Sequence, residues 1–538
     1  MARMTSTAGR IAARPVSRPQ NQVRHSLRQN AIAMFVGQSI TWGLTAVTLA
    51  LLPRYLGPEQ MGAMGIGLSF TSIAGTVAGL GMATLVTKDV ARDREAAAAM
   101  LGTALWLNII FGVVAGVVGI ATGFALGYES MTRLSITAQC ATVPLNLLIL
   151  LGFGALQGVE VMRHQAIWDA ANKVFSLAAI GLIIFFDLGF NALLVLSVLS
   201  ALLCAVPGVV LMHRYVPFDP WSFSFSKARY LVVESIPFCA INIFVIVYLA
   251  VDVLLLSVLS GETAVGIYTA PSRIFGTLLF APTIITTVVF PRMAASFRDA
   301  PEGLQQLARG TMRLVVGITL PVAVLAVGTS GPVLVALIGD GFGQSGPVIA
   351  LLALSLVPTS LNMVAHRILT AADRQRIWTI VMLVGLAAKV ALDLALIPLA
   401  GHLWGNPALG AALGLVLVET AMMLTGLAYL PRGVFDRPEA RLYGRLLASG
   451  LVTVLVMVIA GREGFFTAGA AGGLAYVAAV LALRVYTVSG LREAVAWGLG
   501  RFPATTSAPF LQKRPAPAAA PLVFEPSRLK GVRAATRR

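Results

Sequence analysis

Long apolar runs recur along almost the whole chain and limit what it can fold into. Of the 538 residues, 57% are hydrophobic and only 12% are charged, and a water-soluble protein of this length could not bury that much apolar surface. Runs of about 20 apolar residues match the length of a bilayer-spanning helix. The sequence therefore predicts an all-α polytopic membrane protein. The fourteen predicted spans are residues 31–52, 63–86, 99–126, 135–157, 168–189, 191–212, 231–258, 265–290, 314–338, 347–371, 377–400, 407–430, 441–460 and 464–487.

The basic residues between the spans support an even number of crossings. Lysine and arginine accumulate in the cytoplasmic loops of membrane proteins, and here they fill every second connection. The other connections hold only Arg54, Arg133 and Arg462. Both termini are therefore predicted to be cytoplasmic. The formal charge of +17 indicates topology and not a nucleic-acid partner.

Two turns of the first half recur in the second half at nearly the same offset. The segment from Gly57 to Gly62 is similar to that from Gly261 to Gly266, 204 residues later, and Trp168 corresponds to Trp378, 210 residues later. These offsets predict a duplicated six-helix unit. Because six crossings return the chain to the same side, the two copies would be related by a pseudo-twofold axis along the membrane normal.

The duplication divides the chain into five predicted regions. A basic disordered cytoplasmic tail (1–29) precedes an N-terminal six-helix lobe (30–213) and a C-terminal six-helix lobe (214–430). Two additional transmembrane helices (431–488) and an amphipathic segment with a basic disordered cytoplasmic tail (489–538) follow. A central cavity is expected between the two lobes.

Two ionisable residues lie in a predicted hairpin whose turn is at Ser260–Thr263. A charge inside a membrane-spanning helix is costly and indicates function. Asp252 precedes the turn and Arg273 follows it. At about 1.5 Å per residue both lie about 15 Å from the turn, so they are predicted to meet across the hairpin.

A second group of ionisable residues lies in the eleventh and twelfth predicted spans. Lys389 and Asp393 are four residues apart and share a helix face, and Glu419 lies at a similar depth. If Lys389 pairs with one acid, the other is left over and is suited to reversible protonation. Glu419 is the favoured coupling residue, and a purely structural ion-pair cluster is the alternative.

Other kinds of site lack their sequence patterns. The three cysteines lie in apolar segments without metal-ligand spacing, which indicates buried thiols and not a disulfide framework. No Gly-rich phosphate loop ending in Lys-Ser/Thr occurs, which argues against direct use of ATP. No metal or cofactor is predicted.

Several short segments occur in the order found in one family of transporters. They are Arg54-Tyr55-Leu56-Gly57-Pro58-Glu59-Gln60-Met61-Gly62, Gly79-Leu80-Gly81-Met82, Ala155-Leu156-Gln157-Gly158, Ile236-Pro237, Asp252-Val253-Leu254-Leu255-Leu256, Val265-Gly266-Ile267-Tyr268, Phe290-Pro291, Gly339-Asp340-Gly341-Phe342 and Ile397-Pro398. Over about residues 30–430 the chain resembles the polysaccharide transporter (oligosaccharide flippase) family of the multidrug/oligosaccharidyl-lipid/polysaccharide (MOP) exporter superfamily. The long basic tails and residues 401–406 depart from its pattern.

The resemblance implies a MATE-like fold and a flippase for undecaprenyl-diphosphate-linked oligosaccharide in the bacterial inner membrane, serving surface polysaccharide synthesis. The diphosphate and glycan are the parts that are costly to carry through hydrocarbon. Arg273 is the first candidate to bind the diphosphate, since a guanidinium offers a planar set of donors, and Lys389 is the second. Whether Arg273 binds substrate or only neutralises Asp252 is left open. Asp252, Asp393 and Glu419 are assigned to ion coupling or charge pairing.

The resemblance also bears on partners and energy. Alternating access driven by a proton or sodium gradient is expected, and the basic tails should attract anionic lipid. Whether a glycan polymerase and chain-length machinery act as partners is left open. The alternatives within the same fold are a flippase for lipid-linked peptidoglycan precursors and a cation-coupled drug exporter. A membrane glycan polymerase, which would be an enzyme, is disfavoured because the predicted outside loops are short.

Overall fold

The computed structural model describes residues 20–299, 301–431, 433–460 and 465–483. The predicted tail before residue 20 and the predicted amphipathic segment and tail after residue 488 lie outside these ranges. The described residues form α-helices α1 Gln20–Gly79, α2 Met82–Arg92, α3 Arg94–Ala125, α4 Ser130–Ala141, α5 Val143–Gly158, α6 Met162–Phe185, α7 Gly189–Tyr215, α8 Phe225–Ser260, α9 Glu262–Leu278, α10 Phe280–Asp299, α11 Pro301–Ile338, α12 Ser345–Ala371, α13 Gln375–Trp404, α14 Pro407–Tyr429, α15 Arg437–Ala460 and α16 Phe465–Ala482, with a 3-10 turn at Asp340–Phe342.

Twelve helical segments of the described chain are long and apolar enough to cross a membrane, and Gly469–Ala482 is a shorter apolar helix. The prediction of an all-helical, multi-pass membrane protein is confirmed. The count of twelve differs from the predicted fourteen at the two ends. The predicted first and second spans form one segment, Gly43–Gly79, and the predicted last span is the shorter helix.

A glycine interrupts the long first helix. Gly57 has φ 70° and ψ 177°, outside the helical region, and Pro58 follows it. Proline lacks the N–H that a continuing helix would use, and glycine tolerates positive φ without steric cost. The predicted break between the first two spans is therefore present as a kink.

Four turns of the first half have counterparts in the second half. In each pair a residue with positive φ occupies the turn, and the separation runs from 204 residues (Gly57 to Gly261) to 216 residues (Gly189 to Gly405). The four pairs are Gly57 and Gly261, Gly127 and Gly339, Glu160 and Asp373, and Gly189 and Gly405. Paired turns of this kind are what a duplicated unit of helices would produce.

The closest approach between the halves is made by α1 and α9. A Cβ atom on Gly62 would overlap the carbonyl group of Glu262, and one on Gly266 would overlap the carbonyl oxygen of Pro58. The backbones can therefore touch only because both residues lack a side chain. These are the glycines that open the second helix of each repeated turn.

Apolar clusters continue from this contact into the bundle. One of them combines Ile66 of α1, Val265 of α9, Leu352 of α12 and Ile397 of α13. It joins helices of the first half to helices of the second half. Van der Waals packing between close helices is the main source of association inside a membrane.

Ion pairs attach the last helices to the second half. Arg309 of α11 donates to Asp436 at 2.6 Å, and Arg313 of α11 pairs with Glu439 of α15. Glu439 is buried, so its charge is compensated by Arg313. Helices α15 and α16 both pack against α11.

Several predicted boundaries differ from those of the structure. Residues 20–29 of the predicted disordered tail are helical and belong to α1. The connection between the predicted spans 265–290 and 314–338 contains the end of α10 and the start of α11. Polar residues in these stretches suggested loops, but the helices project beyond the apolar segments.

Two predicted spans are broken inside the bundle. The span 63–86 is interrupted between α1 and α2, where Leu80 and Gly81 have positive φ. The span 135–157 is interrupted at Thr142, between α4 and α5, and Pro144 lies in the first turn of α5.

The contact between Gly266 and Pro58 can be tested with one methyl group. We expect Gly266→Ala to lower the free energy of unfolding by about 1–3 kcal/mol, because the added carbon overpacks a backbone contact. Thermal unfolding of the purified protein in detergent measures this. The matched control is Gly276→Ala on α9, since a Cβ there meets nothing within 4 Å. Equal stability of the two variants would contradict the assigned contact.

Candidate functional site

The predicted charged residues lie on four helices of the second half. Asp252 is on α8, Arg273 on α9, Lys389 and Asp393 on α13, and Glu419 on α14. The structure brings three of them together and places the other two in separate surroundings.

Lys389 is the centre of the buried charge cluster. Its ammonium is fully buried and lies 2.8 Å from both carboxylate oxygens of Asp393. It also forms an ion pair with Oδ1 of Asp252. The carbonyl oxygen of Ala411 lies 3.4 Å away. Four oxygens from three helices thus surround one cation.

Local sequence makes this arrangement possible. Lys389 and Asp393 stand one turn apart on the same face of α13. A Cβ atom on Gly414 of α14 would overlap Oδ1 of Asp393. Glycine at this position therefore lets α14 approach the cluster, which brings the Ala411 carbonyl within reach of the ammonium.

The cluster carries more acid than base. Two carboxylates face one ammonium, and an uncompensated charge away from water is expensive. The hydroxyl of Tyr268 donates to Oδ2 of Asp252. This hydrogen bond delocalises the excess negative charge but does not neutralise it. The arrangement is therefore suited to accept a proton or a further cation.

The expected ion pair between Asp252 and Arg273 is absent from the described residues, because Asp252 pairs with Lys389. The antiparallel register of α8 and α9 places Tyr268 opposite Asp252, and Arg273 lies more than one turn further along. No carboxylate among the described residues forms an ion pair with Arg273. Its side chain is part-buried. A role for Arg273 in substrate binding stays a prediction.

Glu419 is buried among neutral hydrogen-bond donors. Tyr248 donates to Oε1 at 2.6 Å, and Nδ2 of Asn362 donates to Oε2 at 2.8 Å. Lys389 pairs with the two aspartates and leaves Glu419 without a cation among the described residues. This is the left-over carboxylate that the sequence anticipated. Its role in coupling stays a prediction.

Sequence reasoning missed three polar partners. Tyr248, Tyr268 and Asn362 all lie within membrane-length helices and hold the carboxylates. Asn362 is an amide near the middle of α12, and a polar amide within a membrane-length helix was a usable signal. The tyrosines gave no such signal, because tyrosine is ordinary in apolar segments.

A large cavity lies elsewhere between the halves. It has a volume of about 790 Å³ and is lined by α1, α3, α8 and Leu394 of α13. Its walls are almost entirely aliphatic and aromatic, with Tyr128 and Thr122 as exceptions. None of the five predicted charged residues lines it. The predicted charged residues therefore do not face this cavity.

Sequence comparison relates the chain to polysaccharide biosynthesis proteins. Residues 27–297, about half of the 538 residues, match a family model described as polysaccharide biosynthesis protein. The succinoglycan biosynthesis transport protein ExoT of Rhizobium meliloti (strain 1021) is 24% identical over 329 residues. This alignment covers 59% of the present chain and 63% of the relative, so it spans less than two thirds of that protein.

Structural comparison identifies the fold. The lipid II flippase MurJ, in an inward closed conformation, superposes with a TM-score of 0.66 and 11% identity, covering 88% of this chain and 100% of that one. An inward-facing multidrug resistance MATE family transporter of the MOP superfamily superposes with a TM-score of 0.60 and 17% identity, covering 73% and 97%. At these identities the likeness concerns the fold alone, and the predicted MATE-like fold is confirmed.

Removing the central cation should unbalance the cluster. We expect Lys389→Met to lower the free energy of unfolding by about 3–5 kcal/mol, because two buried carboxylates lose their partner. The fraction of monodisperse protein in detergent and its thermal stability measure this. Adding Asp393→Asn to that variant should recover part of the loss. A Lys389→Met protein as stable as the parent would contradict the ion-pair geometry.

Proposed function

Because the chain belongs to the polysaccharide biosynthesis protein family and has the fold of MOP superfamily transporters, we propose that it is a flippase for lipid-linked oligosaccharide. The substrate is an undecaprenyl-diphosphate-linked oligosaccharide, moved across the bacterial inner membrane for surface polysaccharide synthesis. The protein is a transporter and not an enzyme. The observation that carries this proposal is a membrane-embedded arginine without a carboxylate partner in the described chain.

Arg273 supplies the contact with the diphosphate. A guanidinium is permanently charged, and in a membrane span it needs an anion or water. It forms no ion pair with the described carboxylates, so an incoming anion would not have to displace an acid from it. A diphosphate offers several oxygens in the geometry that arginine binds in pairs.

Lys389 is less accessible to substrate than an unpaired lysine would be. Both acids of the cluster already hold its ammonium, so a diphosphate would have to displace one of them. We assign Asp252 and Asp393 to charge pairing with Lys389. A contact between Lys389 and substrate then requires the cluster to open during transport.

Coupling uses the carboxylates of the second half. Glu419 and the excess acid of the Lys389 cluster can each take up a proton or sodium ion. Moving one elementary charge across the membrane contributes about 2.3 kcal/mol per 100 mV, which is enough to bias the return of an empty carrier. A proton or sodium gradient is therefore the proposed energy source.

Alternating access requires two bodies that move against each other. We assign residues 30–213 and 214–430 to two six-helix lobes related by a parallel pseudo-twofold axis, which the paired turns support. If the kink at Gly57 divides α1 into two crossings and the short last helix also crosses, the chain has fourteen spans, with residues 431–488 outside the duplication. Both termini are then cytoplasmic.

The apolar cavity suits the hydrocarbon part of the substrate. A polyprenyl chain needs no polar partner, and the lining residues offer none beyond Tyr128 and Thr122. The basic tails are proposed to attract anionic lipid. A glycan polymerase and chain-length machinery are the proposed protein partners, because a flippase product is a substrate for polymerisation.

A flippase for a lipid-linked peptidoglycan precursor is the second candidate. It is favoured by the superposition on the lipid II flippase, which extends over 88% of this chain. The two functions share the diphosphate and the lipid and differ in the glycan. Neighbouring glycosyltransferase and polymerase genes would favour the first function, and neighbouring cell-wall genes the second.

Loss of the guanidinium should stop translocation. We expect Arg273→Ala to lower the rate at least about tenfold, since hydrogen bonds to a charged group contribute about 1.5–3 kcal/mol. Translocation of the lipid-linked glycan in membrane vesicles measures this, with Arg273→Lys expected to retain part of the rate. Arg214→Ala, an exposed arginine at the end of α7, is the matched control. Normal transport by folded Arg273→Ala protein would show that Arg273 does not bind the diphosphate.

Glu419 is tested by its response to ion gradients. We expect Glu419→Gln to transport at a rate that no longer depends on the proton or sodium gradient, because the amide cannot ionise but keeps acceptor capacity for Tyr248. Transport is measured in vesicles with the gradient imposed or collapsed. Unchanged dependence on the gradient would exclude Glu419 as the coupling residue.

A further inference from the structure

Three glutamates from separate turns converge at one end of the bundle. Glu59 follows the kink in α1, Glu129 precedes α4, and Glu262 begins α9. One carboxylate oxygen of each lies within 4.8 Å of one oxygen of the others. Two of these residues belong to the first half of the chain and one to the second.

Backbone contacts hold the three turns in place. The overlap that a side chain would cause at Gly62 and Gly266 shows that the turns carrying Glu59 and Glu262 touch directly. Helix α4 also packs closely against α1, because a Cβ on Gly67 would lie 2.6 Å from the Ser135 hydroxyl. The carboxylates are therefore positioned by the scaffold.

The negative charge of this group is not compensated by protein. In the described chain, no lysine, arginine or histidine forms an ion pair with Glu59, Glu129 or Glu262. Both oxygens of Glu262 are buried and have no hydrogen-bond partner. Three like charges at this separation repel one another unless a cation lies among them.

A buried hydroxyl points to the same place. Thr132, in the first turn of α4, is 0% exposed, and its Oγ1 has no hydrogen-bond partner within 3.5 Å. The hydroxyl faces the Glu262 carboxylate, to which its O–H can donate. A hydroxyl that donates its one proton keeps two acceptor lone pairs, so the Thr132 oxygen is available as a further ligand next to the carboxylates.

We propose that Glu59, Glu129, Glu262 and the Thr132 hydroxyl bind a calcium ion. Ca²⁺ takes six to eight oxygen ligands at about 2.3–2.6 Å, so two of its ligand oxygens are at most about 5 Å apart, and the three glutamate oxygens lie within 4.8 Å of one another. Because all the ligands are oxygens, with no histidine or thiol, zinc and copper are disfavoured. Exposed Glu59 and Glu129 leave room for water to complete the shell.

The ion would tie the two halves together at this end. Glu262 opens α9 in the second half, and the other two glutamates stand on the first half. Calcium binding therefore stabilises the state in which the turns touch. This inference concerns ion binding and does not depend on the identity of the transported molecule.

Calcium titration of the purified full-length protein tests the site. The protein is stripped with a chelator in detergent, and its thermal unfolding is followed as CaCl₂ is raised to about 10 mM, since exposed calcium sites bind at about 10⁻⁴–10⁻³ M. The unfolding temperature is expected to rise and saturate. Mg²⁺ should act more weakly, because it demands a tighter octahedral shell.

Single-residue variants separate binding from simple repulsion. Glu262→Gln is expected to weaken calcium binding at least about tenfold, because affinity follows the number of charged ligands, and to leave the calcium-free protein at least as stable. The matched control is Glu95→Gln, an exposed glutamate in the first turn of α3, which should respond to calcium like the parent. No response of the parent, or the same response in all three proteins, would overturn the site.

Discussion

The contact between the turns of α1 and α9 is the constraint on which the rest of the structure depends. Gly62 and Gly266 allow two backbones to meet without side chains between them. Since the bilayer offers no hydrophobic driving force between helices, close backbone approach is a main way to hold them together. The contact sets where α9 begins and how deep each of its side chains lies.

The register of the α8–α9 hairpin follows from that contact. Tyr268 lies opposite Asp252 and donates to it, and Arg273 is carried past the aspartate. Asp252 is then free to pair with Lys389 of α13, which draws a third helix into the same cluster. Within the described part of the chain, Arg273 is left without an acid, and Glu59, Glu129 and Glu262 are left without a base.

The sequence was sufficient to predict the helices and many of their ends. Apolar length identified the spans, and the recurring glycines placed the turns at Gly57 and Gly261, which share a conformation. The i, i+4 spacing placed Lys389 and Asp393 on one helix face, where the structure pairs them. In α10 and α11, polar residues extend the helix beyond its apolar segment. The sequence suggested a loop there, because polar composition indicates exposure to water and does not show whether the backbone is helical.

What the sequence by itself determined is which residues are forced into the membrane and that each charge there needs a partner. Which partner each charge receives was decided by the tertiary structure. Equal depth in the hairpin predicted Arg273 as the partner of Asp252. The partner in the structure is Lys389, which lies on a helix more than a hundred residues later in the chain. Gly414 allows α14 to pack close to this ion pair. Ion pairing depends on the distance between helices. That distance is set by the packing of side chains from several helices, which the sequence of one helix does not reveal.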